Sequence, residues 1–171
     1  LRDSGKLREG RRWLETALRL DREDRETILE LAQADAALGN TERIPEVLES
    51  IGSIDDLPRY QVNQVAQLRR RTGATAEALR ALDSLARRFS PNAEELWLRA
   101  AILLTMKRRG EAVSAMRQAV ELDPTRGELR ADLAGMLWLG NEKQAAIEQG
   151  IAALVFGVEQ HRELEQVVRL L

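Results

Sequence analysis

The chain has 171 residues, with 26 Lys and Arg against 28 Asp and Glu. Its formal charge of −2 leaves no global excess of positive charge to hold a phosphate backbone. It has no cysteine, which excludes disulfides and thiolate metal sites, and its longest uncharged run, Gln149 to Val158, is far short of the roughly 20 apolar residues that span a bilayer.

Taken in order, Gly5 to Gly10 leads into Trp13, Leu14, Ala17, Leu18 and Leu20, an apolar stripe at helical spacing that closes on Asp21. Asp24 is placed to cap a helix carrying Ile28, Leu31, Ala32 and Leu38, which should stop at Gly39-Asn40, a pair suited to a left-handed exit. Its partner over Thr41 to Gly52 meets Pro45 too far in for the ideal first-turn place, so this helix is expected to start late or kink. Leu57 to Thr72 follows with Val62, Val65, Ala66 and Leu68; Gly73 makes the turn, and Thr75 can cap a helix carrying Ala78, Leu79, Leu82, Leu85 and Ala86.

Ser90-Pro91 reads as the start of the next helix, Ser as N-cap and Pro at the first helical place, with Leu96, Ala100, Leu103 and Met106 as its buried stripe. Arg108-Arg109-Gly110 serves as a turn, and Ala112, Met116, Ala119 and Val120 face back before Asp123-Pro124 closes the pair. Thr125 to Glu128 has capping-box spacing ahead of Leu129, Leu133, Ala134 and Leu137. Gly140-Asn141 turns into Ile147, Ala153 and Leu154, and His161 to Leu171 looks like a final first helix or a cap through Leu164, Val167, Val168 and Leu171.

One interval runs through these elements. Ala32, Ala66, Ala100 and Ala134 are each 34 residues apart, as are Ala78, Ala112 and Ala146. Small residues at fixed places let helix backbones approach closely and fix a crossing angle, and a constant angle repeated gives a superhelix. The period, with two helical patterns per copy and Ala112, Ala119 and Pro124 at the family's small, small and proline places, resembles the tetratricopeptide repeat. Departures are Ile28, Val62, Leu96 and Arg130 where an early aromatic is usual, Gly10 and Ile44 in place of Ala, and Asp35 and Arg69 at a usually apolar place.

The expected fold is therefore all-α, a right-handed α-α superhelix (solenoid) of antiparallel helix pairs. One array covers 1–171: the second helix of a truncated repeat at 1–24, repeats at 25–58, 59–92, 93–126 and 127–160, and the start of a further or capping helix at 161–171. The N-terminus reads as a fragment cut from a longer chain, and the excess of Arg over Lys fits a GC-rich bacterial genome.

In proteins of this family the first helix of each pair lines a concave groove. Carried over by position, the groove places hold Leu29, Gln33 and Ala37, then Tyr60, Asn63, Gln67, Arg70 and Arg71, then Glu94, Trp97 and Ala101, then Glu128, Ala131 and Trp138. Asn and Gln can pair with an extended peptide backbone, Arg can take a carboxylate in a fork, and Trp supplies large area at low entropy cost. Trp97 lies off the stripe of Leu96, Ala100 and Leu103 and is the foremost candidate, set against the commoner fate of a stripe-edge Trp, packing on the next helix. That plainer reading weighs more for Trp138, and more again for Trp13. The run Arg69-Arg70-Arg71 could meet an acidic partner, though charges at a helix end usually complement the C-terminal dipole.

His161 is the lone histidine, no Gly-rich phosphate loop or paired metal-ligand motif is present, and Asp55-Asp56 and Glu94-Glu95 suit helix N-termini. The reading is a non-catalytic scaffold, with no cofactor and no metal, that binds a partner protein or peptide, without nucleic acid and without direct membrane insertion. A bacterial envelope or secretion assembly such as exopolysaccharide export is an expected host by analogy. Alternatives are an RNA-binding repeat like the related pentatricopeptide arrays, whose period is one residue longer, and a regulatory domain of a larger enzyme. Compartment, periplasmic or cytoplasmic, and oligomeric state are left open by the sequence.

Overall fold

The structure, a computed structural model, describes residues 2–157. Helix follows helix: α1 (Arg2–Leu20), α2 (Arg25–Leu38), a 3-10 turn (Thr41–Arg43) running into α3 (Ile44–Glu49), α4 (Arg59–Arg71), α5 (Thr75–Arg88), α6 (Ala93–Thr105), α7 (Arg109–Leu122), α8 (Gly127–Leu139) and α9 (Lys143–Val155). The described residues contain no strand, so the all-α class with antiparallel helix pairs is the one observed. His161 to Leu171, expected to be a further helix or cap, lies outside the described residues.

The chain divides after Ser90 into two compact units. In the first, α1 packs on α2, α2 on α3 and α4, and α4 on α5; in the second, α6 packs on α7, α7 on α8, and α8 on α9. The small residues spaced by 34 sit at these crossings. Ala32, Ala66 and Ala78 in the first unit and Ala100, Ala112, Ala134 and Ala146 in the second have no exposed surface. Larger apolar side chains on the same helices are buried with them, among them Ile28, Leu85, Leu98, Ile102 and Leu137.

The pair α2/α3 is the least regular, for the reason Pro45 gives. It falls in the first turn of α3, and the chain reaches it through the 3-10 turn instead of a continuous helix, so α3 has only six residues. Gly39 leaves α2 in the left-handed region at φ 80°, where its N–H donates to Ala36 O and the N–H of Asn40 donates to Asp35 O at 2.9 Å.

Several helix starts differ from the sequence reading. Helix α6 begins at Ala93 with Asn92 as its cap, not at Ser90-Pro91. The Asn92 side chain accepts from the Glu95 N–H at 2.9 Å, and the Glu95 carboxylate accepts from the Asn92 N–H at 3.2 Å, a complete capping box. Thr75 is the first residue of α5 rather than its cap, because the cap place falls on Ala74, whose methyl side chain cannot accept a hydrogen bond. Thr125 likewise caps nothing: α8 starts at Gly127 after Arg126, and the Thr125 hydroxyl donates to Asp123. The turn between α6 and α7 is centred on Lys107, at φ 60°, so Arg109 and Gly110 already belong to α7. Gly140-Asn141 does make a turn, but Asn141, at φ 67°, takes the left-handed place.

Candidate functional site

In the first unit the candidate residues lie on α2 and α4. Leu29 is 1% exposed and belongs to the core, which removes it from any groove, whereas Gln33 and Ala37 are exposed. On α4, Tyr60 is 55% exposed and Gln67 is exposed, while Asn63 and Arg70 are half-buried. Spacings of three, four and three residues from Tyr60 through Asn63 and Gln67 to Arg70 keep these four on one face of α4. Arg71 is already engaged: its Nη2 donates to Ala36 O at 2.7 Å and ties α4 to the exit of α2. The Nε of Arg70 is enclosed and has no hydrogen-bond partner among the described residues. Next to it, burial holds the Arg69 guanidinium below its usual pKa, and Arg69 Nη1 donates to Glu77 O at 3.4 Å.

One of the sequence departures is resolved here as well. Asp35, at a usually apolar place, has no exposed surface and is matched by Arg11, whose Nε donates to its Oδ1 at 2.5 Å and Nη2 to its Oδ2 at 3.5 Å; Asn40 adds a third donor at 3.0 Å. That hydrogen bond holds the Arg11 guanidinium above its usual pKa. Asp55 and Asp56, read as N-terminal charges, stand before α4 and are used otherwise: Ser84 donates to Asp55 at 2.6 Å, and Arg25 donates to Asp56 at 2.9 Å, which lowers the Asp56 pKa.

In the second unit the candidates lie on α6 and α8. Trp97 is half-buried, and its Nε1 donates to Asp132 Oδ2 on α8 at 2.8 Å. The packing fate weighed against Trp97 is thus partly realised, and Asp132 is a residue the sequence reading did not single out. Its signal was a carboxylate on α8, 35 residues after the Trp. Glu94 accepts from Arg126 Nη1 at 3.0 Å, Glu128 lies 3.8 Å from the same guanidinium, and Ala101 is half-buried. Ala131 is fully buried and cannot line a surface. Trp138 is 37% exposed, with the Lys143 ammonium 5.7 Å from its ring. Arg130, where an aromatic is usual, bridges Pro124 O and Gln149 Oε1 and stacks its guanidinium 5.2 Å from the Phe156 ring.

Trp13 differs most from its sequence reading. It is 67% exposed and borders a groove of about 670 Å³ between α1 and α2. Among the described residues no group of three or more His, Asp or Glu side chains is disposed to hold a metal ion, and no helix is long and apolar enough to cross a membrane.

No family model matches the sequence, and no curated protein does. Solved structures do match. The segment of MamA from residue 41 to its end, from Desulfovibrio magneticus RS-1, superimposes with a TM-score of 0.75 at 19% identity, covering 89% of this chain and 86% of that one. TTC0263, a thermophilic TPR protein in Thermus thermophilus, gives 0.69 at 20% identity over 97% and 91%. YrrB, a TPR protein with an unusual peptide-binding site, gives 0.63 at 16% identity over 92% and 81%. The fold is that of tetratricopeptide-repeat proteins. The faces carrying Tyr60 to Arg70 and Glu94 to Ala101 lie on α4 and α6, which pack on α5 and α7.

Proposed function

We propose that the chain is a non-catalytic scaffold that holds a partner protein or an extended peptide on its first-helix faces. The observation that carries the reading is the face of α4. Gln67 offers an exposed amide in line with half-buried Asn63, and the two lead to Arg70, whose enclosed Nε has no acceptor within the described structure. A buried unsatisfied donor costs roughly 1–3 kcal/mol, which favours any rotation that brings the fork to an outside carboxylate or carbonyl. Trp97 fits the same reading in the second unit: the bond to Asp132 fixes its rotamer, so its exposed edge can be covered with little further loss of side-chain entropy.

Capture of partners by the wild-type chain beside Arg70→Glu and the pair Asn63→Ala with Gln67→Ala tests the assignment, with circular dichroism confirming equal helicity. Both variants are expected to lose the partner. Retention by both at wild-type level sinks the first-helix assignment. The RNA-binding alternative has its own arm in the same experiment: retention of single-stranded RNA that falls steeply with salt would replace a protein partner by a nucleic acid.

A further inference from the structure

We infer that the outer face of α1 is a docking site for an acidic segment of a partner protein, separate from the face of α4. Arg8, Arg12 and Arg19 fall within about 40° of one line along α1, so their guanidinium groups form a row roughly 16 Å long. All three are exposed, and none makes a hydrogen bond or ion pair through its guanidinium among the described residues. Glu15 lies on the same line but is held by Arg11 at 3.0 Å and by Arg43 at 3.2 Å, so it leaves the row uncompensated.

The repeat register shows that this face is open in every copy and that its charge is peculiar to α1. The places of Arg8 and Arg12 fall on Glu42 and Glu46 after one interval of 34, on Ala76 and Arg80 after two, on Gly110 and Ser114 after three and on Gln144 and Glu148 after four, and all of these are exposed. Where arginines recur they are paired: Arg80 with Glu77 at 3.0 Å, and Arg87, at the place of Arg19, with Asp55 at 3.7 Å. Arg8 and Arg12 instead stand one turn apart, where like charges repel, and with Arg11, Leu38 and Asn40 they line a hollow of about 260 Å³. A carboxylate entering it relieves that repulsion through charge-assisted bonds, while its methylenes rest on Leu38.

The neighbouring charges select the kind of acid. Arg43 ties the 3-10 turn ahead of α3 to α1 through Glu15, and the turn and α3 present Glu42 and Glu46, both exposed and without ion-pair partners among the described residues. A nucleic-acid strand or an anionic bilayer spreads its charge beyond one helix and would meet these carboxylates, in a chain whose formal charge is already −2. A short run of Asp and Glu on a partner protein can keep to α1.

Titration of a labelled deca-glutamate peptide with residues 1–171, followed by fluorescence anisotropy at low ionic strength, tests the proposal. The expected result is saturable binding that weakens as salt is added. Arg8→Glu combined with Arg12→Glu should weaken it by about tenfold or more. Arg80→Glu combined with Arg87→Glu makes the same change in net charge on paired arginines and should leave binding unchanged, as should Arg70→Glu on the face of α4; circular dichroism confirms that each variant keeps its helices. Absence of binding overturns the proposal, and so does equal loss in the two double variants, which would report net charge alone. Loss with Arg70→Glu but not with the Arg8 and Arg12 pair also overturns it, by moving the acid to α4. Equally tight binding of an oligothymidylate, or of phosphatidylserine vesicles, would replace the protein segment by a polyanion and overturn it as well.

Discussion

Asp35 has no exposed surface, yet it carries a charge, and three donors from Arg11 and Asn40 converge on its carboxylate. A buried ion pair of this kind contributes little net stability over an apolar pair of the same volume, but losing one member leaves the other charge with no counterpart. Asp35→Ala is therefore expected to lower the unfolding free energy by about 3 kcal/mol. Asp35→Leu combined with Arg11→Met should recover most of that loss, and urea denaturation of the two variants checks both outcomes. Equal loss in the single and the double variant would show that packing around Asp35 matters and its charge does not. At this scale the sequence was an uneven guide. That Asp35 departs from an apolar pattern was legible, but its partner was not, because Arg11 is 24 residues away and nothing local marks it among its arginine neighbours. Trp97 could likewise be placed at a stripe edge, while the Asp132 carboxylate that fixes it belongs to another helix.

At the scale of elements, the helices themselves were well signalled and their first residues less so. A stripe of apolar residues adds information over a dozen positions, so α2 and α4 to α9 could be anticipated from periodicity. A cap is a choice among two or three adjacent residues. Ser90, Pro91 and Asn92 are all acceptable near a helix start, and the extended backbone of Asn92, at φ −99° and ψ 171°, decides between them. Asn92→Ala is expected to destabilise the protein by about 1 kcal/mol and Ser90→Ala to leave it within about 0.5 kcal/mol of wild type. Thermal unfolding of the pair distinguishes the two caps, and a reversed order would restore the Ser90-Pro91 start. The interaction face was readable only through register. Places carried over by position brought Tyr60, Asn63, Gln67 and Arg70 together on α4, but the same rule also picked Leu29 and Ala131, which the core takes. Position in a repeat does not reveal which faces a neighbouring helix covers.

For the whole molecule, stability in a chain of stacked helix pairs is a sum of local terms, so the weakest pair sets where opening begins. That pair is α2/α3, where α3 has six residues against thirteen or fourteen in α4 to α9. Amide hydrogen exchange should accordingly be fastest, among helical residues within 25–155, over Ile44 to Glu49, and the unit ending at Ser90 should open at lower urea than the unit that follows. Uniform protection across α3 and α7 would contradict this.

The division after Ser90 also gives the molecule separate optical labels. Trp13 belongs to the first unit, Trp97 and Trp138 to the second, and the chain has no other Trp. The indole of Trp13 stands largely in water, whereas that of Trp97 is half-covered and bonded to a carboxylate, so the two should differ in emission maximum before any perturbation. With Trp138 and one of the other two replaced by Phe, a single Trp remains in a chosen unit. The melting of each half can then be followed by colour alone, without any added dye.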